Sequence, residues 1–169
     1  MPREISATSP TASLPERQTV GIAVSKYNDH ITEKLRLAAI DTLVAGGISS
    51  DNILVVKVPG AWELPFAVQR LLANRELAGV IALGAVIKGE TSHDQHINRS
   101  VSHALMQLSL DHNKPVAFGL LTVNSLEQAI QRSGGNQGNK GDECAAALLE
   151  CLRIGAALDQ AMSGHMDTP

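Results

Sequence analysis

Aromatic side chains are scarce in this chain: two Phe, one Tyr and one Trp among 169 residues. So few rings cannot build a core, which must instead be aliphatic and alanine-rich, and each ring becomes a candidate for work other than packing. Cysteine is almost as rare. Cys144 and Cys151 lie seven apart in one helical pattern, about 10.5 Å of rise, which excludes a disulfide between them. They read as small buried apolar residues, reduced in a cytoplasm. Neither sign of charge dominates. A formal net charge of −3 gives no reason to expect nucleic acid or an anionic membrane as a partner. No apolar run reaches the roughly 20 residues of a bilayer span, and the N-terminus lacks the apolar centre of a secretory signal.

What is present suits one soluble domain: 44% hydrophobic and 18% charged residues, over a length sufficient for a real core. Residues 1–18, polar and holding three prolines, are expected to form a flexible tail that does not join the core. Residues 19–162 are expected to be a single α/β domain, and 163–169 a C-terminal tail. Apolar runs predict strands over Val20–Ser25, Asn52–Val58, Gly79–Ile87 and Pro115–Leu121. Helical periodicity predicts helices over Thr32–Ala45, Glu63–Ala73, Ser92–Asp111 and Lys140–Met162. A shorter helix opens at Ser125, whose spacing to Gln128 has the capping-box form, and stops at Gly134-Gly135. Strands alternating with helices imply right-handed parallel crossovers, a four-stranded parallel sheet and helices on both of its faces.

In such a sheet, ligands bind in the crevice at the carboxyl ends of the strands. The third strand ends there in Gly84-Ala85-Val86-Ile87-Lys88-Gly89-Glu90-Thr91-Ser92-His93. That stretch delivers hydroxyls, free N–H groups and an imidazole able to move protons near neutral pH. Ser92 and Gln95 have the spacing of a second capping box. The first strand delivers Tyr27, either an aromatic plate for a ligand or a ring closing the sheet edge. The second delivers Pro59-Gly60-Ala61-Trp62-Glu63. Glu63 suits a helix N-terminus or the hydroxyls of a polyol. His93, Asp94 and His96 lack the surroundings of a zinc site, so no metal is expected. Arg132 and Lys140 bracket the turn Ser133-Gly134-Gly135-Asn136-Gln137-Gly138-Asn139. It is not a P-loop, but two cations around glycines suit a phosphate. Phe118, inside the fourth strand, reads by itself as core packing.

Taken in register, Tyr27-Asn28-Asp29-His30-Ile31-Thr32, Val58-Pro59-Gly60-Ala61-Trp62-Glu63-Leu64-Pro65, Gly84 to His93, Leu126-Glu127-Gln128-Ala129-Ile130 and Gly138-Asn139-Lys140-Gly141 resemble the lumazine synthase family. The likeness runs from about Val20 to Leu152. It implies a three-layer flavodoxin-like sandwich and an enzyme of riboflavin biosynthesis that needs no cofactor. That enzyme joins 5-amino-6-ribitylaminouracil to 3,4-dihydroxy-2-butanone 4-phosphate, giving 6,7-dimethyl-8-ribityllumazine, phosphate and water. By the same resemblance Tyr27 would stack on the pyrimidine, where the family usually has Phe or Trp. Ala61, Trp62 and Glu63 would hold the ribityl chain and ring, and Ala85, Val86 and Ile87 the pyrimidine edge. Glu90 and Thr91 would present N–H groups to the phosphate, Arg132 would pair with it, and His93 would transfer protons. Phe118 and Lys140 would complete the site from a neighbouring subunit, as would Arg132.

The resemblance further implies a homo-oligomer, a pentamer or a 60-subunit icosahedral shell, in the cytoplasm, with riboflavin synthase as a candidate partner. The short turn Gly134 to Gly141 is compatible with the shell. Asp94-Gln95-His96 departs from the family, many of whose members carry an aromatic residue there. Glu90 stands where a small residue is common. The competing function is a non-catalytic cage or carrier for flavin or lumazine on the same scaffold. His93, Arg132 and Lys140, which a carrier does not need, argue against it. A flavodoxin or signalling receiver would require a Ser/Thr-rich phosphate loop or an acidic cluster after the first strand, and Lys26-Tyr27-Asn28-Asp29 is neither.

Overall fold

Alternate residues of one long apolar strand feed two separate cores, and this organises the molecule. The computed structural model describes residue 14 and residues 18–163. Strands β1 (Thr19–Ser25), β2 (Ile53–Val58), β3 (Leu77–Ile87) and β4 (Val116–Val123) form a parallel sheet in the order β2-β1-β3-β4. Helices α1 (Asp29–Ala45), α2 (Leu64–Leu72), α3 (His93–His112), α4 (Leu126–Gln131) and α5 (Lys140–Ser163) follow the strands. Ile81, Leu83 and Ala85 of β3 pack with Leu35 and Leu43 of α1 and Leu148 of α5. Val80 and Ala82 pack with Val68 of α2 and Leu105 of α3 on the other face. A strand buried on both faces must be apolar at every position, and Val80 to Ala85 are all buried.

No aromatic residue belongs to either core. All four lie at the surface of the chain: Tyr27 is 73% exposed, Phe66 71%, Trp62 59% and Phe118 40%. The reading of Phe118 as core packing is therefore corrected. Its strand is an edge of the sheet, with no neighbouring strand on its outer side. The opposite edge, β2, leaves Leu54, Val55 and Val56 exposed as well. Leu14 rests half-buried against the α1–α5 core, contrary to the expectation that the N-terminal stretch stays clear of it. The remaining tail residues, 1–13, 15–17 and 164–169, lie outside the described residues.

Three further differences have local causes. Helix α1 begins at Asp29, earlier than the apolar pattern indicates. The Ile31 and Thr32 N–H groups already donate to the Asn28 carbonyl, at 2.9 and 3.0 Å, while the polar first turn carries no periodicity. The polar turn before α5 is a small antiparallel hairpin of β5 (Ser133–Gly135) and β6 (Gly138–Asn139). Its Gly134 and Gly138 adopt positive φ, +112° and +78°, which residues bearing a Cβ resist. Finally, Cys144 is buried but Cys151 is exposed. Cys144 sits at the margin of the α5 face formed by Gly141, Ala145 and Leu148. The drift of about 20° per heptad carries Cys151 past that margin.

Candidate active site

The carboxyl ends of β1, β2 and β3 and the start of α3 enclose a cleft of about 400 Å³. It is lined by Tyr27, Ala61, Ala85, Val86, Ile87, Thr91 and His93, together with Gly60, Gly89, Asp94 and Ile97. Short bonds fix its rim. The Lys26 N–H donates to the Val58 carbonyl at 2.8 Å and the Tyr27 N–H to the Pro59 carbonyl at 3.1 Å, tying the end of β1 to that of β2. The Asn28 side-chain amide then donates to the Ala85 carbonyl at 2.9 Å, tying the same loop to β3. Asn28 reaches it from the left-handed region, φ +60°, which Asn tolerates better than most residues. Sequence reasoning assigned Asn28 no such role, although an Asn at the strand-to-helix junction was a usable signal.

At the floor of the second loop, Glu63 Oε2 accepts from the Gly60 N–H at 2.9 Å. The carboxylate thereby braces the Pro59-Gly60 turn. Glu63 itself lines a hollow between β2 and α2 with Val56, Lys57, Phe66, Arg70 and Leu71. Trp62 lines a shallow hollow with Pro65, Ser100, Val101 and Ala104. Neither residue lines the cleft, and neither does Glu90. His93 opens α3, with the Gln95 N–H bonded to the Ser92 carbonyl at 3.1 Å. The Ser92 hydroxyl makes no capping bond, so the expected Ser92–Gln95 box does not form: Ser92, at φ −78° and ψ 13°, lacks the extended backbone that turns an N-cap hydroxyl onto the first free N–H groups. At α4 only the N-cap half of the expected box forms. Ser125 is extended there, and its Oγ accepts from the Gln128 N–H at 3.3 Å. The Gln128 side chain reaches one residue further back, accepting from the Asn124 N–H at 2.8 Å.

The two cations occupy a second region. The hairpin brings Arg132 and Lys140 side by side, the Lys140 N–H donating to the Arg132 carbonyl at 2.9 Å. One carboxylate oxygen, Glu143 Oε2, lies 3.0 Å from Lys140 Nζ and 3.9 Å from Arg132 Nη2. Glu143 was missed in the sequence, although its i, i+3 spacing from Lys140 puts the pair on one helix face. Arg132 lines a separate hollow with Val123, Glu127 and Gln131. Beside this region the Cys144 thiol donates to the Phe118 carbonyl at 3.3 Å, and burial pushes it up to about 11. It is a neutral packing group. Phe118, Arg132 and Lys140 thus stand apart from the cleft of their own chain. Among the described residues no three potential metal ligands cluster, and no helix is long and apolar enough to cross a membrane.

Residues 17–155 match the family model described as 6,7-dimethyl-8-ribityllumazine synthase. A protein of that name from Rhodopirellula baltica is 50% identical over 144 residues, covering 85% of this chain and 92% of the relative. Another from Desulfovibrio desulfuricans is 42% identical over 135 residues, covering 80% and 86%.

Proposed function

The chain belongs to the 6,7-dimethyl-8-ribityllumazine synthase family, and from that premise we propose how its residues divide the reaction between them. The enzyme is a transferase. It condenses 5-amino-6-ribitylaminouracil with 3,4-dihydroxy-2-butanone 4-phosphate to the lumazine, releasing phosphate and water, in riboflavin biosynthesis. The amine attacks the ketone to form an imine with loss of water. Phosphate leaves, and ring closure expels a second water.

The cleft at the sheet's carboxyl edge supports this reading best, because it unites a ring platform, backbone donors and acceptors, and an imidazole. In it Tyr27 stacks on the pyrimidine, and Ala85, Val86 and Ile87 meet its edge. Ala61 forms the wall toward the ribityl chain, and Trp62 and Glu63 hold that chain only from beyond the cleft of their own copy. His93 takes and returns the protons of imine formation and dehydration. Thr91 and the Glu90 N–H face the phosphate end, the Glu90 carboxylate turning away from it. Holding two reactants together supplies much of the acceleration, since effective molarities reach about 10⁵ M or more for well-oriented pairs.

Phosphate needs cations, and the cleft lining contains no Lys or Arg. Arg132 and Lys140 of a second copy fill that need, with Phe118 beside them. Four exposed aromatics and an exposed apolar β2 edge fit the same arrangement, since aromatics are enriched where subunits meet. A ring of five, or a shell of such rings in the cytoplasm with riboflavin synthase as its partner, is the proposed assembly. Residues 19–162 form the proposed catalytic domain. A carrier function is not favoured. The test is direct: purified protein mixed with both substrates is expected to form fluorescent lumazine well above the spontaneous rate. Tight lumazine binding without acceleration would favour the carrier.

A further inference from the structure

Among the described residues two non-glycine residues adopt positive φ, and both are asparagines: Asn28 at +60° and Asn113 at +49°. Asn113 has a local reason. It ends α3 as a left-handed C-cap, its N–H donating to the Leu110 carbonyl at 3.2 Å, a common way for a helix to stop. Asn28 has no such reason. It is the N-cap of α1, a position where the backbone is usually extended and an Asn side chain accepts from the free N–H groups of the first turn. Here the backbone is left-handed and the side chain makes no capping bond. A strained residue that breaks a local rule at a strand end is kept for a gain elsewhere.

The gain is the bond from the Asn28 amide to the Ala85 carbonyl, at 2.9 Å. Strand β1 pairs with β3 as far as Val24 and Leu83. Ala85 stands two residues further along β3, so the amide takes the place of the next backbone donor after β1 has turned away. The residue before Asn28 is Tyr27, and Tyr27 and Ala85 both line the cleft, with Val86 and Ile87 following Ala85. One side-chain bond therefore sets the spacing between the ring and the strand end. We propose that Asn28 is a positioning residue for the aminouracil: its amide locks the Tyr27 loop onto β3 and fixes the gap between the ring platform and the backbone that meets the pyrimidine. The inference rests on reading the cleft as the aminouracil site. The butanone phosphate, held toward Thr91 and Arg132, does not depend on that gap.

Steady-state kinetics of Asn28→Gly, Asn28→Asp and Asn113→Gly test the assignment. Glycine accepts positive φ without strain, so both glycine variants relax the backbone and only Asn28→Gly loses the bond to the cleft wall. Asn28→Gly is expected to raise the KM for the aminouracil about fivefold, the order of one hydrogen bond, with the KM for the butanone phosphate unchanged. Asn28→Asp keeps the size of the side chain and tolerates the same φ, but it turns an acceptor onto the Ala85 carbonyl and raises the aminouracil KM further. That variant carries the comparison on a chain packed like the wild type. Asn113→Gly moves neither KM. An unchanged aminouracil KM in either Asn28 variant, or an equal rise in the KM for both substrates, overturns the positioning role. Failure of the wild-type protein to make lumazine would instead overturn the functional reading itself, so the two failures are distinguishable.

Discussion

The cleft at the ends of β1, β2 and β3 and the hairpin before α5 are built on opposite electrostatic principles. The cleft is walled by backbone and apolar side chains, with one imidazole and one carboxylate in its lining. The hairpin holds Arg132 and Lys140 together over a single carboxylate oxygen. The first region suits a neutral, planar molecule, and the second suits an anion. A reaction that joins a neutral heterocycle to a sugar phosphate needs both, and one copy of the chain does not bring them together.

The comparison breaks most sharply at His93. His93→Ala is expected to lower turnover about 10²–10⁴-fold with both KM values nearly unchanged, because positioning survives. A folded variant with no activity whatever and intact substrate binding would count against a role limited to proton transfer. At the other region Arg132→Ala is expected to raise the KM for the butanone phosphate about 10- to 100-fold, the range for a hydrogen bond to a charged group. An unaltered KM and rate would remove Arg132 from the site. Mixing the two variants under conditions of subunit exchange sharpens the contrast. Some interfaces then join an intact cleft to an intact cation pair, so activity rises above the sum of the separate variants. No such rise would mean that each copy works alone. The smallest effect is assigned to Phe118→Ala, a few-fold loss of aminouracil affinity of the order of one aromatic contact. Its tendency to dissociate on sedimentation would be greater than that of the wild type. Unchanged affinity and assembly would take Phe118 out of the interface.

Much of the cleft was legible beforehand because strand ends are. Tyr27, Ala85 and His93 each follow an apolar run that a helical pattern succeeds, and parallel topology sends all such ends to one edge. Trp62, Glu63 and Glu90 were placed with them by the same strand-end reading and by the resemblance. In the single chain Trp62 and Glu63 line other hollows, because a turn of 3-10 helix at Ala61–Glu63 rotates them away from Ala61, and Glu90 is exposed outside the cleft. Asn28 escaped notice because its bond to Ala85 spans 57 positions. Glu143 escaped because the hairpin, not helix α5 alone, brings Arg132 within its reach.

The sequence by itself determined the aliphatic two-sided core, the parallel order of elements and the family, since all three depend on local periodicity and on short motifs kept in register. Only the tertiary structure decided that the four rings face outward, that the Asn28 side chain bonds to β3 instead of capping its own helix, and that cations and cleft lie apart. Exposure and hydrogen-bond satisfaction depend on which distant segments come to cover a residue, and no pattern of neighbours along the chain contains that information.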